Sequence, residues 1–111
     1  MMGNCTKIDK LINRSIQNFL SVLLKEGLNV NQAYLYGSYA KGKEHKWSDI
    51  DIAVISPDFS DTRLNERIKL MKIASEIDDR IEPVPYLPEN FVDEDPLVWQ
   101  IKKEGLLLNL N

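Results

Sequence analysis

The fold of this chain is decided by the segment GSYAKGKEHKWSDIDIAV at positions 37–54, which follows an apolar, strand-like run at 33–36. In its second half, acidic and apolar residues alternate. Because side chains in a strand point alternately to opposite faces, Asp49 and Asp51 should share one face. The residues that should be buried on the other face are Ile50, Ile52 and Val54. The segment therefore predicts a strand with an apolar face and a pair of carboxylates.

The two aspartates are expected to lie close enough to repel each other. Carboxylates at short range raise each other's pKa, so a site that keeps both ionised needs a cation. Ligand sets made of oxygen alone suit Mg²⁺ or Mn²⁺, which proteins hold with one or two carboxylates, water and substrate phosphates. An Asp-x-Asp pair is also common at solvated strand edges and helix caps, and by itself it does not decide between these interpretations.

Gly37 and Ser38 follow the first strand-like run and precede a short predicted helix that ends at Gly42. Glycine lets the backbone approach a phosphate closely, and the first amides of a helix are anion donors. The Ser38 hydroxyl can bond the same phosphate oxygens. Lys41 could reach a triphosphate or be an ordinary exposed lysine. A simple tight turn is the alternative explanation for the Gly-Ser pair.

The combination of the two motifs resembles a known signature. Gly37-Ser38, ten intervening residues and then Asp49-x-Asp51 form the pattern of the nucleotidyltransferase superfamily that includes DNA polymerase beta. Within it, GSYAKG and WSDIDIAVISPDF resemble the minimal nucleotidyltransferases, the MntA-like antitoxin family, over about 30–105. The resemblance implies an α/β (α+β) fold with a small mixed β-sheet, helices packed on one face and the site on the other.

The resemblance also implies a third carboxylate on a later strand, and Glu82 occupies the matching position. Alternation puts Ile81 and Glu82 on opposite faces, so a buried Ile81 would place Glu82 with the aspartates. An exposed edge-strand glutamate is the alternative. The residues implied to hold metal and to act in catalysis are Asp49, Asp51 and Glu82. They would bind two Mg²⁺ or Mn²⁺ ions that bridge the triphosphate of the substrate, ATP or another NTP.

The residues that the resemblance implies for nucleotide binding are Gly37, Ser38 and Lys41. Family members commonly carry arginine at the position of Lys41. Lysine keeps the positive charge but loses the bidentate fork of arginine, which weakens the expectation of tight phosphate binding from this position.

The implied reaction transfers AMP from ATP to a hydroxyl group, and 111 residues leave no room for a separate acceptor-binding domain. The acceptor is therefore expected on a partner protein. For this family the resemblance implies a HEPN-type toxin, modified on a hydroxyl that is typically a tyrosine's. Two alternatives stay open: a module that neutralises its partner by contact with little or no catalysis, and transfer to a small molecule. The base preference and a homo-oligomeric state are also open.

Composition agrees with one small domain at 1–111, in which a helix at about 7–25 precedes a catalytic core at about 30–105. With 43% hydrophobic and 28% charged residues, the chain can close one core. The net charge of −3 argues against direct nucleic-acid binding, which favours a basic face. A single cysteine, no apolar run of about 18–20 residues and no signal-peptide pattern favour a cytoplasmic protein without a membrane segment.

Hydrophobic periodicity and turn residues predict the remaining elements. The predicted helices span about 7–25, 61–77 and 96–103, and the predicted strands about 33–36, 49–55 and 80–84, with 106–108 a short strand or tail. Apolar residues that share one face of the middle helix are Leu64, Ile68, Met71, Ala74 and Ile77. Pro83 and Pro85 each remove a ladder donor, so the strand at 80–84 should lie at an edge of the sheet.

Overall fold

The computed structural model describes residues 10–42, 48–60 and 62–110. Its helices are α1 (Lys10–Lys25), the single-turn α2 (Ser38–Lys41), α3 (Arg63–Ser75) and α4 (Pro96–Glu104). Its strands are β1 (Gln32–Tyr36), β2 (Ile50–Ile55), β3 (Ile81–Tyr86) and β4 (Leu106–Leu107), and a 3₁₀ turn covers Pro88–Asn90. Their boundaries lie within two residues of the predicted ones, except that the predicted helix start near 7 falls outside the described residues. Within the described ranges, no helix is both long enough and apolar enough to cross a membrane.

The four strands form one mixed sheet in the order β3-β2-β1-β4. Strand β1 runs antiparallel to both β2 and β4, while β2 and β3 run parallel. Parallel neighbours need a long crossover connection, and α3 supplies it between β2 and β3. This topology confirms the predicted mixed sheet and shows that 106–107 is a strand rather than a tail.

The main core lies between one face of the sheet and the helices α1 and α3. The β2 side chains predicted to point into it, Ile50, Ile52 and Val54, have 0% exposed surface. Buried side chains that α1 contributes are Ile12, Ile16, Phe19, Leu20 and Leu23. The alternation along β2 therefore has the predicted phase, and the face that carries Asp51 points away from this core.

The second face of the sheet is covered over part of its area by α4 and by the segment that precedes it. Ala53 and Ile55 of β2 share the face of Asp51 and pack into a second buried cluster. The other buried members of this cluster are Tyr86, Phe91, Val98 and Ile101. The polar residues of this face consequently stand at the start of β2, and apolar residues occupy its end.

The face of α3 that packs on the sheet agrees with the predicted one in its C-terminal part and differs from it toward the N-terminus. Three residues of the predicted apolar face are exposed, Leu64 at 68%, Ile68 at 54% and Met71 at 39%. Side chains that do pack toward the core are Leu70, Ile73, Ala74 and Ile77. The row that faces the sheet runs 63-67-70-74-77, which is helical spacing, but its first two members are arginines. The apolar pattern therefore selects the right residues at the end of α3, Ala74 and Ile77, but not at its start, where this row carries the exposed Arg63 and Arg67.

Strand β3 lies at an edge of the sheet, as its two prolines predict. The N–H of Ser56 donates to the carbonyl of Tyr86, so the backbone of Tyr86 faces β2. Alternate residues of a strand turn their backbone groups the other way, which puts Pro83 and Pro85 at positions whose N–H would point outward. Their rings therefore deny a donor to any further strand at this edge.

Candidate active site

The polar residues of the site form a row across three neighbouring strands. In the register of the sheet, Tyr36 of β1 lies opposite Asp51 of β2, and Asp51 lies beside Glu82 of β3. All three share the face opposite the main core, since their chain neighbours Leu35 and Ile81 are buried in that core. The condition on which the placement of Glu82 depended, a buried Ile81, is thus met. The sheet makes Asp51 and Glu82 adjacent although α3 separates them in the chain.

The three predicted carboxylates form one electrostatic cluster. Asp49 is exposed just before β2 begins, and Asp51 is half-buried within it. Burial, together with the negative charges of Asp49 and Glu82, raises the pKa of Asp51 to about 6. Like charges that oppose each other's ionisation in this way would be stabilised by a cation placed among them.

Tyr36 extends the row toward β1. Its ring packs against the second buried cluster, which includes Ala53 of β2. Burial and the neighbouring charge of Asp51 raise the pKa of Tyr36 to about 12, so its hydroxyl keeps its proton at neutral pH. A protonated phenol can donate a hydrogen bond on this face. The sequence motifs do not mark this residue, although its place directly before the Gly-Ser turn was a usable signal.

Gly37 forms the turn between β1 and α2 with a φ of 77°. A Cβ atom added at Gly37 would collide with Oδ2 of Asp51, so the backbone of this turn lies directly against the second aspartate. Ser38 begins α2, and Gly42 ends it in the left-handed conformation with a φ of 70°, as predicted. The backbone of Lys41 closes α2, while its side chain lies outside the described part of the chain.

Glu82 faces a cation from α3. Arg67 Nη2 lies 3.6 Å from Glu82 Oε1, and the two side chains are 46% and 31% exposed. Across 10–42, 48–60 and 62–110, no three acidic, histidine or cysteine side chains stand close enough together to hold a metal ion. The donor set nevertheless suits a hard divalent cation, which prefers carboxylate oxygens. Joint coordination requires Glu82 to turn from Arg67 toward Asp51.

Two arginines of α3 belong to this region, and the sequence motifs do not point to them. Besides the contact of Arg67 with Glu82, Arg63 places its Cζ atom 4.7 Å from the centre of the Tyr86 ring. The spacing of four residues, one helical turn, is visible in the sequence. The structure shows what this spacing does: it allows both arginines to contact side chains of β3.

The cavities near the site do not contain its carboxylates. A cavity of about 360 Å³ lies at the far end of β3 and is lined in part by Arg63 and Tyr86. A smaller one of about 110 Å³ lies between the Gly37 turn and α4. Asp49 is exposed while Asp51 and Glu82 are partly buried, and an anionic ligand at this acidic row would have to be held through bound cations.

A mixed sheet with a glycine turn after one strand and acidic residues on the next two strands defines a nucleotidyltransferase type of fold. The family model for the nucleotidyltransferase domain matches residues 16–108. Because this match covers most of the chain and all four strands, the chain belongs to the nucleotidyltransferase domain family. The resemblance drawn from its motifs is confirmed.

Named relatives and a solved structure agree with this family. Protein adenylyltransferase MntA of Shewanella oneidensis is 35% identical over 69 residues, which cover 61% of this chain and 49% of the relative. This chain thus spans about half the length of that protein. A putative protein adenylyltransferase of Methanocaldococcus jannaschii is 31% identical and aligns over 75% of this chain and 87% of its own. A crystal structure of a toxin–antitoxin with AMP-PNP superposes with a TM-score of 0.60 at 30% identity, covering 86% of this chain and 73% of the other.

Proposed function

We propose that this nucleotidyltransferase transfers AMP from ATP to a hydroxyl group of a partner protein, a HEPN-type toxin that the modification neutralises in the cytoplasm. The observation that carries the proposal is the position of Asp51, which lies against the Gly37 turn on one side and beside Glu82 on the other. A phosphate-binding turn next to an acidic cluster supplies the two parts that nucleotidyl transfer needs. The named adenylyltransferase relatives support a protein acceptor, and the toxin–antitoxin structure with AMP-PNP supports ATP and a toxin.

Each residue of the site has a role in this proposal. The backbone amides at Gly37 and Ser38 and the Ser38 hydroxyl bind the outer phosphates of ATP, with Lys41 as a further cationic contact. The family generally uses a divalent metal with its NTP. Two Mg²⁺ or Mn²⁺ ions would be held by Asp49, Asp51 and Glu82. When bound, such ions lower the pKa of the acceptor hydroxyl and offset the charge of the leaving pyrophosphate.

The transfer itself is a single displacement at phosphorus. The acceptor oxygen forms a bond to the α-phosphorus while the bond from that phosphorus to the bridging oxygen breaks. Pyrophosphate leaves with the electron pair, and the hydroxyl proton passes to Glu82 or to solvent. The attacking and leaving oxygens lie roughly in line. Since the Gly37 turn binds the phosphates that leave, the acceptor approaches from the β3 side of the row.

The test is incubation of the chain with labelled ATP, Mg²⁺ and the candidate toxin, followed by mass analysis of the toxin for added AMP. Asp49→Asn and Asp51→Asn should each lower the transfer rate by at least about 100-fold, because metal-assisted charge stabilisation supplies several kcal/mol. Asp79→Asn, the same change at an exposed position in the turn before β3, is the matched control and should leave the rate unchanged. A toxin that stays unmodified yet is neutralised equally by wild type and Asp51→Asn would identify a contact-based module instead.

A further inference from the structure

The sheet-facing row of α3 changes character along the helix. Leu70 and Ala74 in its C-terminal half are buried in the main core. Arg63 and Arg67 continue the same row toward the N-terminus, one turn apart, and their side chains reach β3. Both arginines are exposed, and a long arginine side chain can lie along a packed surface while its charged end stays in water.

Both arginines contact the face of β3 that carries the site. Arg67 lies 3.6 Å from Glu82, and Arg63 lies over the ring of Tyr86 at 4.7 Å. Glu82 and Tyr86 are four residues apart in a strand, so their side chains share a face. The positive charges of both arginines also act on Tyr36, where they oppose the rise in its pKa that burial causes. The two guanidinium groups therefore lie around the edge of β3, next to the acidic row.

The position of Arg67 relates it to one particular phosphate. Gly37 ends β1, Arg67 stands at β3, and Asp51 on β2 lies between them. Two strand spacings, about 10 Å, separate β1 from β3. In the function proposed above, a nucleotide whose leaving phosphates occupy the Gly37 turn would extend its α-phosphoryl group across Asp51 toward β3. Arg67 would then be a cation at the same edge of the sheet as the α-phosphoryl group, which is the group transferred.

Metal binding changes what Arg67 can pair with. A bound divalent cation is the largest local charge in a site, and a carboxylate that it coordinates offers less charge to a guanidinium. The Arg67 side chain is 46% exposed and has room to turn. We propose that in the nucleotide complex Arg67 leaves Glu82 and binds the α-phosphoryl group of the AMP moiety. The inference rests on the proposed function, and it adds a nucleotide-binding residue outside the motifs. The planar fork of arginine suits a phosphoryl group.

The experiment compares two fragments of ATP. The affinities of labelled AMP and of pyrophosphate, each with Mg²⁺, are measured separately for wild type, Arg67→Ala, Arg67→Lys and Lys69→Ala. Loss of a charge-assisted contact to the α-phosphoryl group should weaken AMP binding by roughly tenfold or more in Arg67→Ala and leave pyrophosphate within about twofold. Arg67→Lys should recover part of the AMP affinity. Lys69, on the same helix but paired with Glu66, is the matched control and should change neither.

A second measurement separates phosphoryl binding from mere support of Glu82. Mn²⁺ affinity, followed by electron paramagnetic resonance, should be unchanged or higher in Arg67→Ala, because Glu82 is released from its partner. Unchanged AMP affinity in Arg67→Ala would overturn the inference. An equal loss of AMP affinity and pyrophosphate affinity, together with lower Mn²⁺ affinity, would also overturn it, because Arg67 would then only support Glu82. If wild type binds no ATP with Mg²⁺, the proposed function fails and this inference with it. If wild type binds ATP with Mg²⁺ but AMP affinity is the same in wild type and Arg67→Ala, the inference about Arg67 fails and the proposed function does not.

Discussion

Gly37 packs so closely on the carboxylate of Asp51 that no Cβ atom fits between them. The turn that ends β1 and the second aspartate of β2 are therefore built as one unit, with the turn's backbone in contact with an acidic side chain. Substitutions at Gly37 and at the neighbouring carboxylates should therefore change the unfolding free energy and the metal affinity of the chain.

Replacing Gly37 by alanine should affect both stability and ligand binding. Gly37 has a φ of 77° and a ψ of −148°, a region almost confined to glycine that costs an alanine about 1–3 kcal/mol, and the new Cβ must also displace Asp51. Displacement of a residue next to a metal typically lowers metal affinity by about 10–100-fold. Urea unfolding and titration with Mg²⁺ and ATP measure the two effects.

The chain offers a matched control for this change. Gly27 has a φ of +88°, and a Cβ added there meets nothing within 4 Å. Gly27→Ala should therefore lose stability from the backbone strain of its positive φ but keep the nucleotide affinity of wild type. Equal nucleotide affinity in Gly37→Ala and Gly27→Ala would show that the contact with Asp51 does not matter for binding.

The pKa of Asp51 predicts how stability depends on pH. Burial, Asp49 and Glu82 raise its pKa in the folded protein to about 6 from the ordinary 3.8, so the folded state binds this proton more tightly than the unfolded state. Between about pH 4 and 6 the contribution of Asp51 to the unfolding free energy of the metal-free wild type should fall as pH rises. Asp51→Asn lacks this effect and should be more stable than wild type above pH 6, on the order of 1–2 kcal/mol after allowance for partial exposure.

The measurement is the difference in unfolding free energy between Asp51→Asn and wild type from pH 4 to 8 without divalent metal. Glu66 and Asp78 have lowered pKa values and lose their stabilising charge at low pH, but they do so in both proteins and cancel in the difference. A difference that stays constant across this range would contradict the prediction. Adding Mg²⁺ should reduce or reverse it, because a bound ion stabilises the folded wild type.

Glu82 can be tested as the third metal-binding carboxylate by its own neutral variant. Glu82→Gln should lower Mn²⁺ affinity at least about tenfold, since even an outer-sphere partner of a metal contributes that much. Asp79→Asn removes the same charge from an exposed residue in the turn before β3 and should not change the affinity. Asp78, beside it, already accepts hydrogen bonds of 3.1 and 2.8 Å from the Arg80 side chain. If Asp79→Asn lost Mn²⁺ binding while Glu82→Gln kept it, the third metal-binding carboxylate would lie in the turn before β3 and would not be Glu82.

The unexpected orientation of α3 has a direct consequence for stability. Leu70 is 3% exposed, so Leu70→Ala should lower the unfolding free energy by roughly 2–5 kcal/mol. Ile68 is 54% exposed, and Ile68→Ala should change it by no more than about 0.5 kcal/mol. Urea denaturation of both variants checks the pair. The reverse order would mean that α3 packs through the apolar row predicted from the sequence.

Much of the fold followed from local patterns. The phase of β2 was readable because period-two alternation allows one assignment of faces once Ile50, Ile52 and Val54 are taken as buried. The short helix after Gly37 was readable from its bounding glycines, and the edge position of β3 from its prolines. The orientation of the N-terminal half of α3 was not readable from the sequence. The row that begins with Leu64 and Ile68 and the row that begins with Arg63 and Arg67 have similar helical spacing, and the apolar one is exposed. Which row packs depends on what the sheet presents to it.

The sequence by itself determined the Gly-Ser turn, the phase of β2 that turns Asp51 away from the main core, and the family, because these depend on residues close in the chain and on local backbone geometry. The tertiary structure decided that Glu82, which the sequence placed with the aspartates only on condition of a buried Ile81, stands beside Asp51, and it alone showed that Tyr36 closes the row and that Arg67 reaches it from α3. Those neighbours come from strand order and from the packing of a crossover helix on an edge strand. Both result from burial summed over the whole core, which no local run of residues specifies.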